Sequence, residues 1–327
     1  MFRGHLMATV TPAAAPGVWR GFRRYFRRSL GALLRSDNDK LLAERRKLAL
    51  QLLRGDAEQL TFRRDGLLWT VFVWDTGVAK YLYSEGNYQG SEVHSLLAWL
   101  RHHGRAPTSE SWVIDVGANI GTTSIPVARE TGARVLAIEP IDDNARLLRQ
   151  NALQNGYGER IVCVEAAVAD QPGEVEMVLS LTNSGGAEIK TGAARQGFGE
   201  VTASHRTVKV PVRTLEQLID QHEVEPGQVA VVWSDTQGAE AGVIAGGGKL
   251  WSAGTCLFAE LWPRGLQSQG GVSRLVREAS RHFDRFVPCE NLQPTDAARP
   301  IGELTSFIAA LGDDEFTNAL FLPPKFA

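Results

Sequence analysis

Sulfur is scarce in this 327-residue chain, which has three cysteines and three methionines. The cysteines, Cys163, Cys256 and Cys289, are odd in number and show neither C-x-x-C nor Cys/His spacing. That argues against a disulfide framework and against a zinc site built from paired ligands. Cys163 and Cys256 fall inside apolar, strand-like runs and read as small buried hydrophobes in a reducing compartment. No stretch approaches the roughly 18 apolar residues of a transmembrane helix. Met1 to Pro16 lacks the apolar core of a secretory signal. The expected location is therefore cytoplasmic. Net charge is also small, at −2, so the molecule as a whole lacks the basic excess of a nucleic-acid binder.

What charge there is lies unevenly. Residues 1–35 hold seven arginines and no Asp or Glu, which leaves 28 basic against 37 acidic residues in the remainder. After an Ala/Pro/Thr/Gly-rich leader, Trp19, Phe22, Phe26, Leu30 and Leu33 recur at helical spacing, with Arg20, Arg23, Arg24, Arg27 and Arg28 on the other face. Such a helix over residues 19–34 either lies on an anionic membrane or acidic partner, or docks on its own protein.

Over the whole chain, 22% charged and 43% hydrophobic residues are ordinary for a globular fold. A second helix is expected over 40–54, and two or three short antiparallel strands over 59–84, around Asp65-Gly66 and Thr76-Gly77. Residues 92–103 read as helix, and 104–110 as a linker. The expected divisions are a basic leader and helix (1–35), a helical and β-hairpin extension (36–104) and an α/β domain (105–327).

From Trp112 the rhythm becomes strand, helix, strand. Strands are expected at 112–116, 134–138, 161–164, 229–233 and 256–261, with helices at 121–131, 142–155, 237–250 and 272–282. A further strand pair, 174–179 and 207–212, flanks a Gly/Ser-rich loop. Alternating units of this kind imply a mostly parallel sheet with helices on both faces, a Rossmann-like α/β fold.

The segment Ile114-Asp-Val-Gly117-Ala118-Asn119-Ile-Gly121 carries an apolar strand into an acid and then a glycine loop. In open α/β sheets ligands bind beyond the carboxyl ends of the strands. A dinucleotide fingerprint would place glycines where Asn119 and Thr122 stand. Asp115, two residues before Gly117, repels a pyrophosphate but attracts an ammonium or sulfonium. On charge grounds the loop favours S-adenosylmethionine. Glu139, closing Ala137-Ile-Glu-Pro140 and 22 residues after Gly117, suits a carboxylate that accepts ribose hydroxyls.

Together with Arg149-Gln-Asn-Ala-Leu-Gln-Asn-Gly156, Glu165-Ala-Ala-Val-Ala-Asp170, Val210-Pro-Val-Arg-Thr-Leu215, Asp235-Thr-Gln-Gly-Ala-Glu240 and Ala259-Glu260, these motifs resemble the FkbM family of methyltransferases. The resemblance runs from about Tyr83 to Trp262. It implies a class I methyltransferase fold, with a seven-stranded sheet whose last strand is antiparallel. It implies O-methylation of a hydroxyl on a sugar, glycan or natural product. It places Asp115, Gly117, Ala118, Asn119 and Gly121 around the methionine part, Glu139 at the ribose, and Ala166 and Ala167 near the adenine. Asp235 then faces the substrate. Gln237 stands where the family often has Glu, keeping a hydrogen-bonding carbonyl but losing the charge.

An alcohol needs a base to become a nucleophile. Asp235, at the end of a strand on the ligand side, is the first candidate, and the alternative is a carboxylate that caps the following helix. Glu260 is a second candidate for substrate or cofactor contact. Asn183 either binds substrate or shapes its turn, and His205 is either a lid base or an exposed loop histidine. No metal-ligand cluster is evident, so no metal is expected. Two other readings remain open at this point: a nicotinamide-dependent oxidoreductase, and a non-catalytic Rossmann-like protein held at a membrane by its Arg-rich helix.

Overall fold

The computed structural model describes residues 39–86, 88–190 and 205–326. The amphipathic helix expected over 19–34 lies outside the described residues, as do residues 191–204 of the Gly/Ser-rich segment. Among the described residues, no helix is long and apolar enough to cross a membrane.

The chain enters through helix α1 (Asp39–Leu53) and a hairpin of β1 (Gln59–Arg64) and β2 (Leu67–Phe72). The hairpin closes on Asp65-Gly66, with φ of +51° and +80°. Two left-handed residues form the type I′ turn that matches strand twist. The third strand expected before residue 84 is instead a helix, α2 (Val78–Ser84). Asp75 explains it: its carboxylate accepts from the N–H of Gly77 (2.7 Å) and of Ala79 (3.1 Å), satisfying donors at the helix start. Val78, Ala79 and Leu82 are then buried at helical spacing. Helix α3 (Gly90–His102) completes this region.

The α/β unit follows as β3 (Trp112–Val116), α4 (Ser124–Thr131), β4 (Arg134–Ile138), α5 (Asp142–Gln154) and β5 (Ile161–Val164). Pro126 falls in the first turn of α4, where the missing N–H has no intrahelical partner to lose. Next come the short β6 (Ala167–Val168), β7 (Gly173–Ser180), β8 (Glu188–Ile189) and β9 (His205–Arg213). Helix α6 (Leu215–Gln221) starts with a capping box between Thr214 and Gln217. Then follow β10 (Val229–Ser234), α7 (Glu240–Ala245), α8 (Gly248–Ala253), β11 (Cys256–Leu261), α9 (Pro263–Ser268) and α10 (Gly271–His282). The chain closes with β12 (Arg285–Pro288), β13 (Arg299–Pro300), α11 (Leu304–Ala309) and β14 (Thr317–Leu322). The single helix expected over 237–250 is two, α7 and α8, parted at Gly246-Gly247. A Cβ on Gly246 would stand 2.5 Å from the Ala169 carbonyl oxygen.

The central sheet has the order β13-β12-β14-β11-β10-β3-β4-β5. Strands β5, β4, β3, β10 and β11 are parallel, and β14 runs antiparallel between β11 and β12. This is the mostly parallel plan that the resemblance implied, with one addition. The expected seven strands become eight because Arg299-Pro300 pairs with Arg285-Phe286 at the outer edge. Pro300 suits an edge, where no neighbour asks for its N–H. The expected pair 174–179 and 207–212 is antiparallel, but it belongs to a separate sheet of order β6-β9-β7-β8.

Strand residues alternate between two apolar layers. Val113, Val231, Trp233 and Phe258 face one layer; Ile114, Val116, Val232, Leu257 and Ala259 face the other. The first layer also takes Trp69 and Val71 of β2 and Val93, Leu97 and Leu100 of α3. At roughly 1.5–3 kcal/mol per fully buried large side chain, this shared layer holds the hairpin and α3 against the sheet. A polar clamp fixes the register. Asn151 of α5 accepts from the Thr70 N–H (2.8 Å) and donates to the carbonyls of Thr70 (3.1 Å) and Ile120 (3.0 Å). Asn155 does the same at Leu68, accepting at 2.7 Å and donating at 2.7 Å. Two asparagines one helical turn apart thus occupy the free edge of β2 as a neighbouring strand would.

Candidate functional site

In the central sheet the chain order reverses between β3 and β10, one side running on to β4 and β5 and the other to β11. Such a switch point leaves a crevice at the carboxyl ends of the strands. A cavity of about 730 Å³ opens there, lined by Val116, Gly117 and Asn119 after β3, by Ile138, Glu139 and Pro140 after β4, and by Asp235, Thr236 and Gln237 after β10.

The glycine loop is shaped by close approach. Gly117 has φ of +85°, and a Cβ there would lie 2.0 Å from the Asp235 carbonyl oxygen. Only glycine fits such contact together with such a dihedral. The N–H groups of Gly117 and Ala118 both donate to the Ile138 carbonyl, at 2.9 and 3.1 Å. Asn119 is also left-handed, with φ of +48°, and its N–H donates to Glu139 Oε2 at 2.8 Å. The second oxygen of Glu139 accepts from the Ile141 N–H (2.9 Å) and from the Asn144 amide (3.4 Å). Burial pushes the Glu139 carboxyl up to about 7 against those hydrogen bonds.

Asp115 sits behind this wall rather than on it, as do Ala118 and Gly121. Ser124 Oγ donates to Asp115 Oδ2 at 2.5 Å, and Oδ1 is buried without a partner. Its pKa is raised to about 7, first by burial, with Ser124 opposing. Ala166 and Ala167 do line the cavity, beside Val168, Met177, Ala187 and Ile189. The small sheet therefore supplies an apolar wall opposite the glycine loop.

At the other end the wall is made of side chains. Asp235 Oδ1 accepts from Gln237 Nε2 (2.8 Å), and Oδ2 accepts from Gln89 Nε2 (2.7 Å). Gln237 Nε2 also donates to Glu260 Oε1 at 3.1 Å, so Glu260 reaches the site through it. Burial raises both carboxyls; repulsion from Asp235 raises Glu260 further, while hydrogen bonds with Gln237, Gln89 and Glu260 hold Asp235 down. Glu240 lies beneath, accepting from the N–H groups of Thr236 (3.2 Å) and Gly238 (3.3 Å) and from the Thr236 hydroxyl (2.8 Å). Asp235 does not cap the following helix, which starts after Ala239 without a side-chain cap, and Glu240 ties down the turn that leads into it. Burial lifts Glu240 to about 7.

Asn183 is set apart. Its Oδ1 accepts from the Gly185 N–H (3.0 Å), and it lines a neighbouring cavity of about 460 Å³ rather than the larger one. His205 opens β9, paired with Ser180. Tyr88, Gln89, Asn144 and Ser184 line the larger cavity and were not anticipated. Ser184 Oγ donates to Asp75 Oδ2 (2.6 Å), and its carbonyl accepts from Asn144 (3.0 Å). Nothing in the local sequence around these four marks them, because two loops and a helix must first converge.

Among the described residues lining the larger cavity, Glu139 and Asp235 are carboxylates and none is Lys, Arg or His. A pyrophosphate would find no cation there, whereas a sulfonium or ammonium finds two acids. No group of three or more His, Cys, Asp or Glu suited to a metal occurs among the described residues.

Residues 115–261 match the family model described as the methyltransferase FkbM domain. No curated protein matches the chain. Among solved structures, a geranyl diphosphate methyltransferase in complex with SAM is 13% identical, with 75% of this chain and 88% of that one covered and a TM-score of 0.40. The M. jannaschii TYW2 in complex with AdoMet is 13% identical over 83% of this chain and 88% of that one, with a TM-score of 0.39. An O-methyltransferase from Bacillus cereus in complex with SAH is 14% identical over 71% and 80%, with a TM-score of 0.34. Likeness at this level fixes neither ligand nor substrate.

Proposed function

We propose that the chain, whose residues 115–261 match the model of the methyltransferase FkbM domain, transfers a methyl group from S-adenosylmethionine to a hydroxyl of a sugar, glycan or natural product. The observation that carries the proposal is the cavity at the switch point, walled by carboxylates and lacking basic side chains among its described lining residues.

S-adenosylmethionine, when bound, supplies an electrophilic methyl carbon on a sulfonium. The residues present fit such a group. Glu139 keeps acceptor capacity for ribose hydroxyls, and its carboxyl is already held by Asn119, Ile141 and Asn144. Ala166, Ala167 and Met177 offer an apolar surface to an adenine. Gly117 and Asn119 line the place where the methionine part would lie, and Asp115 is buried behind them, where a cation would favour its ionised form. Asp235, held on both oxygens by amide donors, takes the proton of the acceptor hydroxyl. Glu260 and Gln237 complete the acceptor end: the Gln237 amide spends both N–H groups on Asp235 and Glu260, which a Glu in its place could not do, and keeps its carbonyl as an acceptor.

Titration calorimetry with S-adenosylmethionine and with NAD separates this reading from a nicotinamide enzyme. Heat with the first alone is expected; heat with NAD alone would reverse the assignment. Incubation with labelled donor and a panel of mono- and oligosaccharides should then yield S-adenosylhomocysteine. Turnover confined to amine or carbon acceptors would remove the hydroxyl part.

A further inference from the structure

We infer that Gln89, which precedes the FkbM domain in the chain, is a positioning residue that holds Asp235 as an ionised base. The inference rests on the methyl-transfer reading above and adds to it a part supplied from outside residues 115–261.

Gln89 stands just before α3 in a left-handed conformation, with φ of +61°. Non-glycine residues adopt that region at a cost, so something holds it there. Both ends of its amide are engaged. The carbonyl Oε1 accepts from the hydroxyls of Thr122 (3.2 Å) and Thr123 (3.1 Å), at the entrance to α4. Those two hydroxyls are buried. With the carbonyl so occupied, Nε2 faces Asp235 Oδ2, at 2.7 Å. An amide N–H in that place stabilises the charged form of the carboxylate and opposes the proton-bound form. Gln237 Nε2 does the same at Oδ1. Both oxygens of Asp235 therefore accept from amides, and Glu260, which meets only one amide, is the member of the pair that protonates more readily.

Burial pushes Asp235 the other way, raising its pKa. The titratable groups around it are Glu260 on β11, which lowers Asp235 through a hydrogen bond and is itself raised by it, Asp115 on β3 and Tyr88 beside Gln89, which interact with Asp235, and Glu240 on α7, which acts on Glu260. Without amide donors a buried carboxyl among acids stays protonated and cannot receive a proton from an acceptor hydroxyl. Gln89 is thus an opposing donor brought in by the N-terminal part of the chain, and the domain match alone leaves it out.

Two substitutions distinguish donation from space-filling. Gln89→Leu removes the amide. Gln89→Glu keeps its shape and its ability to accept from Thr122 and Thr123, but turns a carboxylate oxygen toward Asp235. The direct readout is the titration of the Asp235 carboxyl carbon by NMR in the full-length, ligand-free protein, assigned with Asp235→Asn. The first midpoint of the Asp235–Glu260 pair should rise by about one pH unit in Gln89→Leu and by more in Gln89→Glu. The acidic limb of turnover should move with it, with about a tenfold loss at neutral pH. A Thr122→Val, Thr123→Val double variant frees the amide to turn and should shift the midpoint in the same direction by less. An unmoved midpoint in both Gln89 variants overturns the inference, as does a shift in Gln89→Leu that Gln89→Glu restores. Should the wild-type chain make no S-adenosylhomocysteine, the methyl-transfer reading fails, and the NMR titration still decides what Gln89 does to Asp235.

Discussion

The two ends of the cavity are built from different material. At the glycine loop the wall is largely main chain: Gly117 against the Asp235 carbonyl, and the Asn119 N–H on Glu139. At the Asp235 end it is side chains from distant places: Gln89 before α3, Gln237 after β10 and Glu260 on β11. Backbone binding fixes shape and tolerates little, since the residues that allow it are set by sterics. Side-chain binding fixes charge and proton position, and it can be altered without disturbing the fold. Substitutions at the two ends should therefore fail in different ways.

The largest effect is expected at the backbone end. Gly117→Ala places a methyl 2.0 Å from a main-chain oxygen, at φ of +85°. Neither neighbour is a flexible side-chain tip, so β3 and β10 must separate at their ends. Binding of S-adenosylmethionine should fall by about a hundredfold or more, a loss of roughly 3 kcal/mol or more, measured by calorimetry. Retained affinity would mean that the loop yields more readily than its packing implies. Asp235→Asn should instead leave affinity within a few-fold and lower turnover by about 10²–10⁴, the usual range for a lost general base. If affinity and turnover fell together, Asp235 would belong to the binding end.

The same contrast explains what could be read from the sequence. Main-chain sites need glycines and strand-end acids at fixed intervals, and Asp115, Gly117, Asn119, Gly121 and Glu139 stand in linear order with such spacing. Asp235 and Gln237 were legible because they follow the next strand across the switch point. Gln89, Tyr88 and the Asp75–Ser184 pair were not, since their roles arise only after segments far apart in sequence meet. Helix α2 was missed for a local reason: Thr76-Gly77 reads as a hairpin turn, whereas Asp75 acts as the cap. The strands β12 and β14 escaped notice because their short apolar runs show no alternation; both faces are buried.

The polar clamp on β2 lies between the two regimes. Asn151→Leu keeps the volume but leaves the Thr70 N–H and the Thr70 and Ile120 carbonyls without their partner. Each such buried group costs about 1–3 kcal/mol. Destabilisation of several kcal/mol is expected in chemical denaturation, with the hairpin amides exchanging before those of β3 and β4. Uniform loss of protection would show that the hairpin and the sheet unfold together.

The smallest effect comes from the medium, and it separates the acids by what they hold. Asp115, Glu139 and Glu240 are raised from ordinary values of 3.8, 4.5 and 4.5 to about 7 in the fold. A raised carboxyl binds its proton more tightly when folded than unfolded, so its cost to the fold is absent at low pH. That cost grows as pH rises from about 4 to about 7 and is constant above. The ligand-free protein should therefore melt higher at pH 5.5 than at pH 7.5, by roughly 2 °C or more. Glu139→Gln should flatten that dependence. A bound sulfonium favours the ionised acids, so S-adenosylmethionine should bind less tightly at pH 5.5 and release protons less at pH 7.5 than at 6.5. A melting temperature that fell steadily on acidification would show the buried carboxyls already charged in the empty cavity, and the reason for a cationic ligand would weaken with it.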